Sequence, residues 1–215
     1  MQLWGGWHVS NPQHLIGPDY IKVINDVKSI PDENLFAIVE SHLYPEWKDS
    51  LRLERKDEFW ASLFEDTPFG HIEFGPVLID LSYEPDAKMA YLAYCEEMPA
   101  AIFFTTTDTI RVSKLAPKLK GRLIANTESA QALFRFYDPR MMLPLLSAIS
   151  TQEQAQLFPV IEAIYWHSHH WLEAKLMSHV ENSTGNPTYA LNINKDKQQN
   201  MQAVLEKWLN GVVVR

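Results

Sequence analysis

The chain of 215 residues is 46% hydrophobic and 21% charged, which excludes extensive disorder and provides enough apolar residues for one domain or two small ones. Its net charge of −8 argues against a general nucleic-acid binder, because phosphate binding needs a positive surface. The single cysteine, Cys95, excludes an internal disulfide and a cysteine-based zinc site.

The N-terminal sequence has no basic start and no apolar core of signal-peptide length. No apolar run approaches the ~20 residues that a membrane helix needs. We therefore expect a soluble, reduced, cytoplasmic protein that has no contact with a membrane.

Charge is divided unevenly along the chain. Residues 1–107 carry 18 acidic and 7 basic side chains, a balance of −11, whereas residues 108–215 carry 9 and 12, a balance of +3. The stretch between Asp108 and Glu128 contains five cations and no acid. It is either a solvated face or a contact site for an acidic partner. Its cations are Arg111, Lys114, Lys118, Lys120 and Arg122.

Hydrophobic periodicity predicts the first elements. The spacing of Tyr20, Val23, Ile24 and Val27 favours a helix within residues 19–30, which Pro31 ends. Short apolar runs rich in β-branched and aromatic residues predict strands, and charge-rich or amphipathic stretches predict helices. The predicted strands are 35–39, 60–64, 77–81 and 100–107, and the predicted helices are 45–56 and 85–94.

The second half of the chain begins with a predicted basic helix at 108–115, whose last turn Pro117 leaves uncertain. Arg111, Lys114 and Lys118 would share one face of it, beside Val112, Leu115 and Leu119. Strands follow at 123–126 and 132–137, then a helix through Ile149 capped by Asp138. Either Ser150 or Thr151 caps the next helix, and Glu153 closes a capping box if Ser150 is the N-cap. Residues 160–166 and 171–177 predict strands or an irregular hairpin, and 194–209 predict an amphipathic helix.

The alternation of strands and helices over residues 35–150 predicts an α/β fold, with α+β as the alternative. We expect a mixed sheet with flanking helices in the N-terminal two-thirds and a short helical C-terminal part. The predicted units are an N-terminal extension with one helix (1–33), an α/β domain (34–166), and a C-terminal hairpin and helical segment (167–215).

Motifs of the common enzyme classes are absent from the sequence. It contains no glycine-rich phosphate loop and no nucleophile elbow. Cys95 precedes Glu96 and Glu97, which would raise the pKa of its thiol and make it a poor nucleophile.

A histidine-rich segment offers the best candidate for metal chemistry. On a strand, His167 and His169 would point to the same face, with Glu162 upstream and His179 downstream. The alternative is a polar turn between two amphipathic strands. We predict no metal site, and keep a metal-dependent hydrolase as an alternative function.

The segment 134–140, with the sequence Phe-Arg-Phe-Tyr-Asp-Pro-Arg, is the most informative part of the chain. If it is extended up to Tyr137, the arginine and tyrosine face one side and the two phenylalanines the other. Arg140 would lie in the first turn of the next helix, where a cation is usually paired because the helix dipole is positive there. The segment is either a structural ion-pair network or a clamp for a ligand or peptide. The candidate site comprises Phe134, Arg135, Phe136, Tyr137, Asp138 and Arg140.

This segment and the Met-Met-Leu-Pro-Leu-Leu that follows resemble the signature of the type VI secretion effector chaperones, the Tap/TEC adaptor family. The resemblance extends in the same order over roughly residues 34–166. The first matched strand ends in Glu40, where the family more often has aspartate. The other resembling segments are 34–40, 64–68, 75–81, 100–105 and 157–166.

The resemblance implies a cytoplasmic adaptor that binds a toxic effector and loads it onto the VgrG spike protein. It implies no catalysis and no cofactor. The partners expected are the effector and VgrG, with no nucleic acid and no membrane. A toxin-binding immunity or regulatory protein is a further alternative, and the basic face of Arg111, Lys114 and Lys118 is a possible contact surface.

Overall fold

The computed structural model describes residues 18–51, 58–82, 84–176 and 188–209. In these ranges ten strands form two sheets, accompanied by five α-helices and the 3-10 helix Val27–Ser29. The strands are β1 (Ile21–Ile24), β2 (Leu35–Glu40), β3 (Trp60–Ser62), β4 (Pro76–Asp80), β5 (Ala101–Thr106), β6 (Ile124–Thr127), β7 (Gln131–Leu133), β8 (Ile161–Ser168), β9 (His170–Lys175) and β10 (Leu191–Ile193). The helices are α1 (Pro85–Glu97), α2 (Val112–Lys120), α3 (Pro139–Ala148), α4 (Thr151–Leu157) and α5 (Lys195–Leu209).

The larger sheet has seven strands in the order β1-β9-β8-β5-β2-β4-β3, and all its pairings are antiparallel. The smaller sheet has the order β10-β6-β7 and mixes a parallel pair, β10 with β6, and an antiparallel pair. The predicted α/β class, with flanking helices and a helical C-terminal part, is confirmed.

Helices cover both faces of the larger sheet. The side chains of β2 alternate, so that Phe36 and Ile38 enter one apolar cluster while Ala37 and Val39 enter the other. Helices α2 and α3 pack into the first cluster, and α1 packs into the second. The central strands β2, β4 and β5 are buried along their whole length. Burial on both faces explains why these strands are continuous apolar runs.

The predicted helix cap at Asp138 is confirmed, and of the two caps predicted for the next helix the structure shows Ser150. The Asp138 carboxylate accepts the backbone N–H of Arg140 at 3.0 Å and caps α3. Ser150 Oγ accepts the N–H of Glu153, whose carboxylate accepts the N–H of Ser150, so both halves of the capping box form.

The helix predicted over residues 19–30 is wrong. Residues 21–24 form β1, which pairs with β9 at the edge of the sheet, and Asp26 caps the 3-10 helix that follows. The predicted spacing fits a helix of this length, but the pairing with Trp171–Ala174 extends the backbone instead. Residues 45–50 form turns rather than the start of the helix predicted at 45–56, and residues 52–57 lie outside the described ranges.

Helix α2 begins four residues later than predicted and continues through Pro117 to Lys120. Proline has no N–H to donate to the carbonyl four residues earlier in the helix. Pro117 lies on the exposed side of α2, however, where water can bind that carbonyl instead. Among the helices of the described ranges, none is long and apolar enough to cross a membrane.

Candidate partner-binding site

The strand predicted over residues 132–137 ends at Leu133, and residues 134–138 turn into α3. The N–H of Asp138 donates to the carbonyl of Arg135 at 3.0 Å, which closes the turn. The predicted two-sided arrangement on one strand is therefore wrong, because a turn of this kind directs successive side chains in different directions. The turn instead separates a buried aromatic pair from an exposed pair of arginines.

The aromatic residues of this segment belong to the core. Phe136 and Tyr137 are almost fully buried, and their ring centroids are 5.4 Å apart at 80°. Phe136 also packs edge-on against Phe158 at 6.1 Å, whereas Phe134 is only partly buried. Burial raises the pKa of Tyr137, so its hydroxyl stays protonated. These rings anchor the turn to the sheet rather than offering a contact surface.

The charged residues of the segment form a compact group with Glu40, the last residue of β2. Arg135 Nη2 lies 2.7 Å from Glu40 Oε2 and 3.8 Å from Asp138 Oδ2. Arg140 binds Asp138 with two parallel hydrogen bonds, from Nε to Oδ1 at 2.9 Å and from Nη2 to Oδ2 at 2.7 Å. We call Glu40, Arg135, Asp138 and Arg140 the ion-pair cluster.

The two carboxylates of the ion-pair cluster are nearly buried, whereas its two arginines are about half exposed. The side chains of Glu40 and Asp138 are only 11% and 8% exposed, whereas those of Arg135 and Arg140 are 41% and 55% exposed. Burial raises the pKa of Glu40, against the positive charge of Arg135. The hydrogen bonds that Arg140 donates to Asp138 raise the pKa of Arg140. The carboxylates thus fix two guanidinium groups at the surface, a geometry suited to receiving a carboxylate or a carbonyl of a partner.

The end of β2 is braced from the neighbouring loop. Ser41 Oγ donates to the carbonyl of Gly75 at 2.8 Å, beside the ion-pair cluster. A Cβ at Gly75 would lie only 2.4 Å from the ring of Phe64, so only glycine fits this contact. The Gly75-Pro76 pair therefore has a packing role at the start of β4.

Exposed apolar side chains lie near this end of the sheet. Phe74 is 54% exposed, and its ring lies 6.5 Å from that of His42, which follows Glu40 by two residues. Ile72, in the same loop, is also exposed. Aromatic residues and arginine are both enriched at protein interfaces.

The basic helix forms with the predicted apolar face. Val112, Leu115 and Leu119 are buried, Arg111 and Lys114 are exposed, and Lys118 and Lys120 are half-buried. Within the described ranges no ion pair involves any of these four cations. We call Arg111, Lys114 and Lys118 the basic face; Lys120, two residues after Lys118, does not lie on that face of the helix.

Arg122, counted with the basic stretch, does not belong to that face. It is 3% exposed, and its guanidinium donates to the carbonyls of Gln156 and Lys118 at 3.1 and 2.5 Å. Burial lowers its pKa. Arg122 therefore has a structural role, since its hydrogen bonds link the end of α2 to α4.

The histidine segment is the turn of the β8–β9 hairpin, with His169 at a positive φ of 63°. His167 and His169 therefore do not share a strand, and they pack on different tryptophans, Trp171 and Trp208. Within the described ranges no three potential ligands are placed to hold a metal ion. His179 lies outside these ranges.

Cys95 is buried in α1, and burial raises the pKa of its thiol to about 12. The thiol is therefore protonated at neutral pH, as predicted for a poor nucleophile. The dominant cause is desolvation rather than the two neighbouring glutamates.

Sequence reasoning did not predict that Glu40 completes the site. In the sequence Glu40 is only the acid that ends the first matched strand, and 95 positions separate it from Arg135. The usable signal was an acid at the end of an otherwise fully apolar strand, because such a carboxylate needs a partner.

Comparison with known families adds one match, and no curated protein or solved structure matches the chain. The sequence profile described as a domain of unknown function (DUF4123) matches residues 35–156. The match runs from β2 through α4, and includes all four residues of the ion-pair cluster. Because it covers more than half of the sequence, the chain belongs to the DUF4123 family.

Proposed function

We propose that this protein is an adaptor that binds a type VI secretion effector in the cytoplasm and loads it onto the VgrG spike. The observation that carries the proposal is the family match over residues 35–156, because the DUF4123 family is associated with effector adaptors of this secretion system. The protein acts by binding and needs no catalytic step.

The ion-pair cluster supports a binding role. Arg135 and Arg140 are positioned by buried carboxylates, yet about half of each side chain remains open to a partner. Preorganised guanidinium groups lose little conformational freedom on binding, which favours affinity. The exposed Phe74 and Ile72 add apolar contact area near the same end of the sheet.

Affinity purification from the native cell, followed by mass spectrometry, tests the proposal. The wild-type chain should recover a toxin and VgrG. Arg140→Ala should reduce recovery of at least one of them, because Arg140 is the more exposed arginine of the cluster. Lys207→Ala, an exposed cation on α5, is the control and should leave recovery unchanged.

Three results would count against the proposal. Recovery of neither a toxin nor VgrG would overturn it. A toxin without VgrG, in every condition tested, would favour an immunity or regulatory protein instead. Unchanged recovery by a folded Arg135→Ala/Arg140→Ala variant would remove the ion-pair cluster from the interface.

A further inference from the structure

A cleft of about 600 Å³ lies between the loop after β3, the end of α2 and the smaller sheet. Its volume is within the range of ligand pockets, so the cleft can accept a large apolar side chain. Most of its lining is apolar, and the polar contributors include Lys120 and Asp66. The apolar lining residues are Pro68, Phe69, Pro117, Leu123, Ile124 and Tyr189.

The cleft opens beside the basic face. Lys120 lines it directly, and Pro117, also in the lining, lies one helical turn from Lys114 on the same side of α2. Asp66 is the acid among the described residues that line the cleft, and Lys120 in the lining and Lys114 beside Pro117 are the cations on this side of α2. The α2 side of the cleft therefore carries two cations, although the whole protein is negative.

The smaller sheet presents an open strand edge next to the same cleft. In the described ranges β7 pairs only with β6, and its first residue, Gln131, lines the cleft. The N–H of Phe134 and the carbonyl of Ala130 point toward β6, where they bond Leu123 and Thr127. Backbone direction alternates along a strand, so the N–H and carbonyl groups of Gln131 and Leu133 point away from the sheet.

We propose that this cleft and the β7 edge bind an extended, acidic segment of the adaptor's cargo. An apolar side chain of the segment enters the cleft, its backbone pairs with β7, and its carboxylates meet Lys114 and Lys120. An extended segment fits better than a helix, because a helix satisfies its own backbone groups and leaves nothing to pair with the edge. The inference rests on the proposed adaptor function and adds where, and with what chemistry, cargo is held.

A displayed library of random peptides, each about a dozen residues long, tests the inference on the full chain. The selected peptides should be acidic and carry a large apolar residue. Their binding should weaken about tenfold on Lys114→Glu/Lys120→Glu, because two attractive charge contacts become repulsive. Lys28→Glu/Lys207→Glu makes the same change in net charge at exposed positions elsewhere and should bind as the wild type does.

The strand edge has its own matched pair of variants. Gln131→Pro removes the outward N–H at the first residue of an edge strand, where proline is tolerated. Gln131→Ala loses the same side chain but keeps that N–H. Peptide binding should fall for the proline variant and stay near the wild-type value for the alanine variant.

Failure to select any acidic peptide would overturn the inference, as would equal binding to the wild type and Lys114→Glu/Lys120→Glu. Equal binding to the proline and alanine variants would remove the strand pairing. If the wild-type chain still recovers a toxin and VgrG from cells, only the cleft inference fails. If it recovers neither, the adaptor function itself fails.

Discussion

The ion-pair cluster and the basic face of α2 both present cations, but they hold them in opposite ways. In the cluster each arginine bonds a nearly buried carboxylate, so the four charges cancel within the fold. On the basic face the cations extend from a helix whose other side is in the core, and within the described ranges none is paired with an acid. The cluster should therefore matter for stability as well as binding, and the basic face for binding alone.

The largest effect is expected from Asp138→Ala. The substitution removes the cap of α3 and both hydrogen bonds to Arg140, and it leaves Arg135 with Glu40 alone. We expect a loss of about 2–3 kcal/mol in the free energy of unfolding, less than for a fully buried pair because the arginines are half in water. Urea unfolding measures it.

The matched control is Glu128→Ala, which breaks the exposed pair with Lys195. Its expected effect is below about 0.5 kcal/mol. Equal losses for Glu128→Ala and Asp138→Ala would contradict the structural role of the cluster.

Gly75→Ala tests the bracing of the cluster from its neighbouring loop. The new methyl group would press into the Phe64 ring, and we expect a loss of about 1–3 kcal/mol, measured by thermal or urea unfolding. Gly70→Ala is the milder comparison, since the nearest atom to its Cβ would be a backbone oxygen at 3.3 Å rather than a ring carbon at 2.4 Å, and we expect a smaller loss. A loss for Gly70→Ala as large as for Gly75→Ala would argue against this specific contact.

Glu40→Gln tests the effect of the Glu40 charge on the stability of the cluster. The pKa of Glu40 is raised in the folded state, so the folded protein retains this proton to higher pH than the unfolded chain does. Wild-type stability should therefore fall relative to Glu40→Gln as the pH rises above about 4.5, the ordinary value, and should level off above the folded pKa. Unfolding curves at closely spaced pH values measure the difference. A difference that is constant with pH would contradict the raised pKa.

The smallest effect is expected on the basic face. Lys114→Ala should change the free energy of unfolding by less than about 0.5 kcal/mol, because its side chain is exposed and forms no ion pair with another described residue. The measurement is the same urea titration used for Asp138→Ala. A loss comparable to that of Asp138→Ala would remove the distinction between the two regions.

Local sequence signals predicted the elements whose causes are local. The apolar runs that became β2 and β4, the Asp138 cap and the Ser150–Glu153 capping box all follow from residue types at short spacing. The strand at residues 21–24 could not be predicted in this way, because its pairing with β9 outweighs a spacing that suits a helix.

Contacts between residues that are far apart in the chain could not be predicted from the sequence. The pairing of Glu40 with Arg135 and the burial of Arg122 depend on tertiary packing that brings together positions far apart in the chain. The motif at 134–140 contains three of the four residues of the ion-pair cluster, but its predicted conformation is wrong, since a turn rather than a strand carries them. The residue types in the motif indicated ion pairing, whereas the arrangement of the ion pairs depends on the fold and could not be predicted from the sequence.

Secretion of the effector measures the central claim most directly. In the native cell, deletion of this gene should remove its effector from the secreted fraction while VgrG is still secreted. The wild-type gene should restore effector secretion, and the Arg135→Ala/Arg140→Ala variant should restore less of it. Undiminished secretion of every effector in the deletion strain would contradict the adaptor account.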